Sequence, residues 1–158
     1  MYLRRNRCRQ PGSPSFHCAY EIAITDQWQT RELKIALSGA DGEHYLCLRR
    51  DEENRWWEGG TDRELGALAG LTDIDLGISP STNTLAIRRL RLQPGDSAAI
   101  TAAWVRFPSL EISPLPQRYT RTGENTYRYE SNDGAFQADL EIDEHALVTQ
   151  YADIWSRI

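Results

Sequence analysis

The sequence predicts an all-β single domain, an antiparallel β-barrel or one strongly curled sheet, and three observations carry that prediction. Short segments of alternating apolar and polar residues recur along the chain, separated by turns bearing Gly, Asn and Asp. Hardly any stretch repeats its apolar residues at helical spacing. The 158 residues contain no internal repeat and no low-complexity linker that would divide them.

The first strand, Phe16–Thr25, places Phe16, Cys18, Tyr20, Ile22 and Ile24 on one face. Thr30–Ser38 follows with Leu33, Ile35 and Leu37 inward, and then His44–Arg50. An acidic loop leads to Arg55–Gly59, where the adjacent residues Trp56 and Trp57 must face opposite ways. Thr61 and Glu64 have capping-box spacing, but Gly66 and Gly70 reduce Thr61–Leu71 to a loop or a single turn. A strand over Thr72–Gly77, a turn at Ser79-Pro80 and an extended segment from Leu85 come next. Ser97–Phe107 is a long strand with Ile100, Ala102 and Trp104 on one face and Val105 and Phe107 on the other. Pro114 and Pro116 confine their segment to an edge or bulged strand. Gln117–Arg121, Thr126–Ser131, Ala135–Ile142 and Leu147–Tyr151 complete the series, and Ala152–Ile158 adds a last helical turn. Residues 1–15 are expected as a flexible arm ahead of a domain spanning 16–158.

A net charge of −5 argues against a nucleic-acid partner, because neutralising phosphates needs a positive face. No apolar run reaches the ~18 residues of a membrane-spanning helix, and the basic N-terminus lacks the apolar core of a secretory signal. A cytoplasmic location is therefore the expectation. Cys8, Cys18 and Cys47 lack metal-ligand spacing, and His17, His44 and His145 lie far apart. No metal and no cofactor is expected.

The densest chemistry lies in Asp73–Leu92, DIDLGISPSTNTLAIRRLRL. Asp73 and Asp75, two apart on a strand, leave the same face and suit a general acid/base pair. The alternative is a brace, with the carboxylates bonded to Arg88, Arg89 and the turn, and the composition of the stretch favours it.

That stretch, together with DQWQTRELKI (26–35), QRYTR and YRYES (117–131), and FQADLEID and LVTQYADIWSRI (136–158), resembles a bacterial family of glycolipid-binding domains, formerly a domain of unknown function. The resemblance runs from about Phe16 to the end of the chain. It implies a curled half-barrel of the lipoprotein-carrier kind with an apolar tunnel for a lipid or glycolipid, and it supplies no catalytic residues. The chain departs from the family pattern at Ser81, where an aromatic is expected, and at Ala86 and Ala152, where prolines are expected. The N-terminal hairpin usual in the family has no counterpart in MYLRRNRCRQPGSPS, which would leave an exposed sheet edge open to a homodimer.

The expected function is thus non-enzymatic binding of an amphipathic small molecule in an apolar cavity. Trp28, Trp104, Tyr119 and Tyr129 supply stacking area, and Asn83 and Arg88 supply polar contacts. The alternatives are a small hydrolase or isomerase using Asp73 or Asp75, and a structural or partner-binding module without a ligand.

Overall fold

The structure, a computed structural model, describes residues 2–8 and 16–157. Its strands form two sheets. The first is an antiparallel meander of β1 (Tyr2–Cys8), β2 (Phe16–Ile24), β3 (Thr30–Gly39), β4 (Gly42–Arg50) and β5 (Trp56–Glu58). The second runs β6 (Asp73–Leu76), β7 (Ser97–Val105), β8 (Ile112–Arg121), β9 (Thr126–Ser131), β10 (Phe136–Ile142), β11 (Val148–Tyr151) and β12 (Trp155–Ser156). This seven-stranded sheet curls into a half-barrel, as the strand pattern predicts.

Alternation decides which faces are buried. Phe16, Cys18, Tyr20, Ile22, Leu33, Ile35 and Leu37 point from the first sheet onto Ile74, Leu76, Ala103 and Val105 of the second. Trp56 is fully buried with its indole N–H on the Leu71 carbonyl at 2.8 Å, while Trp57 faces outward and donates to Asp51 at 3.0 Å. Asp51 is in turn held down at a pKa of about 2, because hydrogen bonds from the Arg55 backbone, Trp57 and Arg55 outweigh its desolvation. Gly59 closes β5 against Cys47, where a Cβ would lie 2.7 Å from the cysteine Cβ. Gly59→Ala is therefore expected to lose roughly 1–3 kcal/mol in urea unfolding. An unchanged midpoint would show that the β4–β5 contact is looser than this packing implies.

Four segments and one strand pairing differ from the sequence expectation. Residues 2–8, expected within a flexible arm, form β1 and pair antiparallel with β2 from Tyr2↔Ala23 to Cys8↔Phe16. The free backbone edge of β2 rewards pairing whatever side chains the added strand carries, so the three arginines of β1 do not prevent it. Part of the wall expected to be missing is thus supplied, and β1 becomes the edge strand. The segment expected to be extended from Leu85 is a helix, α1 (Ser81–Leu90). Its buried residues Thr82, Leu85 and Ala86 recur at helical spacing, and Arg88 and Arg89 suit its C-terminal turn. Arg91 ends it in a left-handed conformation with its N–H on the Ile87 carbonyl. Through α1, β6 and β7 pair parallel, a βαβ crossover inside an otherwise antiparallel sheet. Pro114 and Pro116 lie within β8, in the part that extends beyond the end of β9, so no ladder partner is lost. Finally, the tail forms the short strand β12 in place of a helical turn.

α1 lies on the concave side of the half-barrel. Its Ala86 and Ile87 pack with Tyr119, Tyr127, Tyr129, Ala138, Leu140 and Val148. The molecule thus has two cores, one between the sheets and one between helix and half-barrel.

Candidate functional site

Register brings the polar residues of the concave side together. Asp75 pairs with Trp104 across β6 and β7, Ile100 with Gln117 across β7 and β8, and Tyr119 with Tyr129 across β8 and β9. The amide Nε2 of Gln117 donates to Asp75 Oδ2 at 2.5 Å, and the Tyr129 hydroxyl donates to the same oxygen at 3.3 Å. Tyr119 donates to Gln117 Oε1 at 3.4 Å, which fixes the orientation of the amide. Both of these bonds go to Oδ2, and Oδ1 accepts none among the described residues.

Asp75 lies deep in the protein yet keeps part of its surface accessible. Burial pushes its pKa up to about 6, although the bonds from Gln117 and Tyr129 favour the charged form. Tyr129 and Tyr151 are both raised, by burial first and by the Asp75 charge second. Around them runs an aromatic cluster. The Tyr129 ring lies 5.2 Å from Tyr119, 6.1 Å from Phe136 and 6.2 Å from Tyr151, and Phe136 stacks on Tyr151 at 6.3 Å. Phe136 is 38% exposed, so the cluster runs from the buried carboxylate to the surface.

Asp73 has a different fate. Arg89 donates Nε to Oδ1 at 3.0 Å and a terminal nitrogen to Oδ2 at 2.7 Å, and Thr72 adds a bond at 3.0 Å. The two aspartates share a face, as the spacing predicts, but one is braced by an arginine and the other is bonded only by neutral donors, Gln117 and Tyr129. Of the residues expected to bind ligand, Trp104, Tyr119 and Tyr129 share the Asp75 face. Arg106 lies over the Trp104 ring at 5.3 Å. Asn83 is a helix residue in place of the expected turn residue, buried with Nδ2 unpartnered. Helical spacing puts it on the side of α1 that carries Ala86 and Ile87. Trp28 and Arg88 meet each other elsewhere. Trp28 takes φ +66° in the β2–β3 turn, the Arg88 guanidinium stacks on it at 4.3 Å, and Nε donates to the His145 carbonyl at 2.8 Å. Gln117, Phe136 and Tyr151 were not singled out from the sequence. The i, i+2 spacing of Gln117 and Tyr119 is the signal that could have found the first.

Two clefts are present. One, of 590 Å³, is lined by Ile100, Gln117, Arg118, Glu130, Ser131 and Asp133, so it adjoins the residue that donates to Asp75. The other, of 380 Å³, is an apolar groove over Ala19, Ala36, Tyr45 and Cys47 on the outer face of the first sheet. No group of three or more potential metal ligands occurs among the described residues, and no described helix is long and apolar enough to cross a membrane.

Curled sheet, helix-filled concavity and an aromatic approach to a buried polar group define a half-barrel class of β protein. Within that class the chain belongs to the family described as "Putative glycolipid-binding", whose model matches residues 6–157. It is similar to a solved DUF1089 family protein from Pseudomonas aeruginosa, with a TM-score of 0.90 and 32% identity over 99% of this chain and 85% of that one. No curated protein matches the sequence.

Proposed function

We propose that the protein binds an amphipathic molecule of the lipid or glycolipid kind without transforming it. Its polar head would meet Asp75, and its apolar part would lie along Tyr129, Tyr151 and Phe136. The observation that carries this reading is the continuous aromatic path from an exposed Phe136 through Tyr129 to the Asp75 carboxylate. Rings offering apolar area beside a few convergent polar groups suit such a ligand. The family's description points the same way. α1 and the tyrosines fill much of the concavity, so the ligand is placed at its mouth instead of in a closed chamber.

Native mass spectrometry after gentle purification tests this. A lipid-mass adduct is expected on the wild type and is expected to be lost in Phe136→Ala/Tyr151→Ala. Bare protein from several expression hosts, with no uptake of an added nonionic amphiphile, would overturn it. The raised pKa of Asp75 favours a second reading, in which that carboxylate acts as a general base on the same ligand. Recovery of chemically unaltered ligand after prolonged incubation separates the two.

A further inference from the structure

We propose that the outer face of the first sheet is a self-association surface. Two copies of the chain pack on it face to face, about a two-fold axis that runs along the strands between β3 and β4. This face looks away from the half-barrel, so the inference is independent of the amphiphile site.

Register supplies the geometry. Residues directly opposite on neighbouring strands share a face, so the outer face is built of rungs. One rung runs Ala23, Glu32, Arg49 and Trp57 across β2, β3, β4 and β5. The next is Glu21, Lys34 and Cys47, and the one after it is Ala19, Ala36 and Tyr45. A two-fold axis along the strands keeps each rung level and reverses its order. Residues of β3 then meet their own rung-mates from the other copy's β4. Glu32 faces the partner's Arg49, Ala36 faces the partner's Tyr45, and, one strand further out, Ala23 faces the partner's Trp57. Opposite charges meet, and large side chains meet small ones, each contact occurring twice by symmetry.

The residues themselves fit this arrangement. Tyr45 is 71% exposed, the most exposed large hydrophobic side chain among the described residues. Its hydroxyl donates to Glu43 at 2.7 Å, and the 380 Å³ apolar groove over Ala19 and Ala36 lies beside it. A knob next to a hole on one face is the self-complementary pattern that a two-fold contact requires. Arg49 is exposed and enters no ion pair among the described residues. Glu32 holds Lys34 at 2.8 Å, and a carboxylate can accept from a second cation as well. The size is also adequate. Strands of nine or ten residues are about 30 Å long and five side by side span about 20 Å, so the face is of the order of the ~800 Å² that each partner of a stable interface buries. Packed sheets cross at about 30°, and centring the crossing on the Lys34–Cys47 rung keeps the rungs on either side within side-chain reach. The free edge is a poorer place for a second copy, because β1 has three arginines in seven residues and pairing with itself sets like charges together.

Sedimentation velocity of the full chain tests the proposal. The wild type is expected to pass from monomer to dimer between about 1 and 100 µM. Glu32→Arg sets arginine against arginine, and Arg49→Glu sets glutamate against glutamate, so each alone is expected to weaken the dimer at least about tenfold. Mixed, the two variants present arginine to glutamate at both contacts, and a heterodimer within about threefold of the wild-type affinity is expected. Tyr45→Ser removes the exposed ring, leaves every charge in place, and is expected to weaken the dimer at least about fivefold. A wild type that stays monomeric to about 100 µM, single variants that associate like the wild type, or a mixture of folded variants that stays monomeric would each overturn the proposal. Should a charge variant fail to fold, Tyr45→Ser decides alone, since association unchanged by it also overturns the interface.

Discussion

Replacing Arg89 with methionine is expected to destabilise the protein by roughly 3–5 kcal/mol, since it leaves a buried carboxylate without its counter-charge. Asp73 retains only 6% side-chain exposure and Arg89 22%, and the two share a bidentate contact with Thr72 as the remaining donor. The loss should appear as a fall in melting temperature of roughly 10 °C or more for a chain of this size. The double variant Asp73→Asn/Arg89→Met should recover much of it, because it removes the stranded charge along with the pair. A single variant that melts with the wild type would show that water reaches Asp73. In that case the link from α1 to β6 is no more than a surface ion pair.

Asp75→Asn is expected to have the opposite sign. The folded-state pKa of about 6 lies about two units above that of an ordinary carboxylate near 3.9. Below about pH 4 the group is protonated in both folded and unfolded chains, and its burial costs nothing extra. Between about pH 4 and 6 the unfolded chain ionises while the folded one resists, so stability falls as pH rises through that window. Above the folded pKa the penalty is complete, about 2–3 kcal/mol once the accessible part of the group is allowed for. An asparagine keeps an oxygen for Gln117 and Tyr129 and carries no charge, so the variant should match the wild type at pH 4 and exceed it at pH 7.5. Urea unfolding at several pH values measures the difference directly. A gap that stays constant across pH would remove the titrating carboxylate from the explanation.

Legibility in the sequence follows the range of the interactions. The alternation in Phe16–Ile24 fixes a buried face by itself, so that strand and its neighbours to Arg50 could be read directly. α1 was hidden because Ser81, Thr82, Asn83 and Thr84 have the composition of a turn, and their burial comes only from packing on β6 and the half-barrel. β1 was hidden because its reward is backbone pairing, which side chains do not announce. The paired aspartates were visible as a motif, but their roles were not. Arg89 is 16 residues from Asp73, whereas Gln117 and Tyr129 are 42 and 54 residues from Asp75. Only the curl of the sheet brings those distant groups to one point. The aromatic residues told the same story in part: Tyr129 was singled out for its stacking area, while Phe136 and Tyr151 meet it from strands whose order local pattern does not specify.

The Arg88 contact also bears on how the molecule moves. One guanidinium, carried on α1, touches the β2–β3 turn through Trp28 and the β10–β11 turn through the His145 carbonyl. First sheet, helix and far hairpin are thereby pinned at a single point, so a hinge between the two sheets has to release that guanidinium before it can swing. β12 joins β11 at Gln150↔Ser156 and is held further by Arg157, whose backbone N–H donates to the Thr149 carbonyl at 2.9 Å and whose guanidinium donates to Asp143 at 2.7 Å. Two arginines, Arg88 from α1 and Arg157 from just beyond β12, thus clasp the same β10–β11 turn, one at the His145 carbonyl and the other at the Asp143 carboxylate.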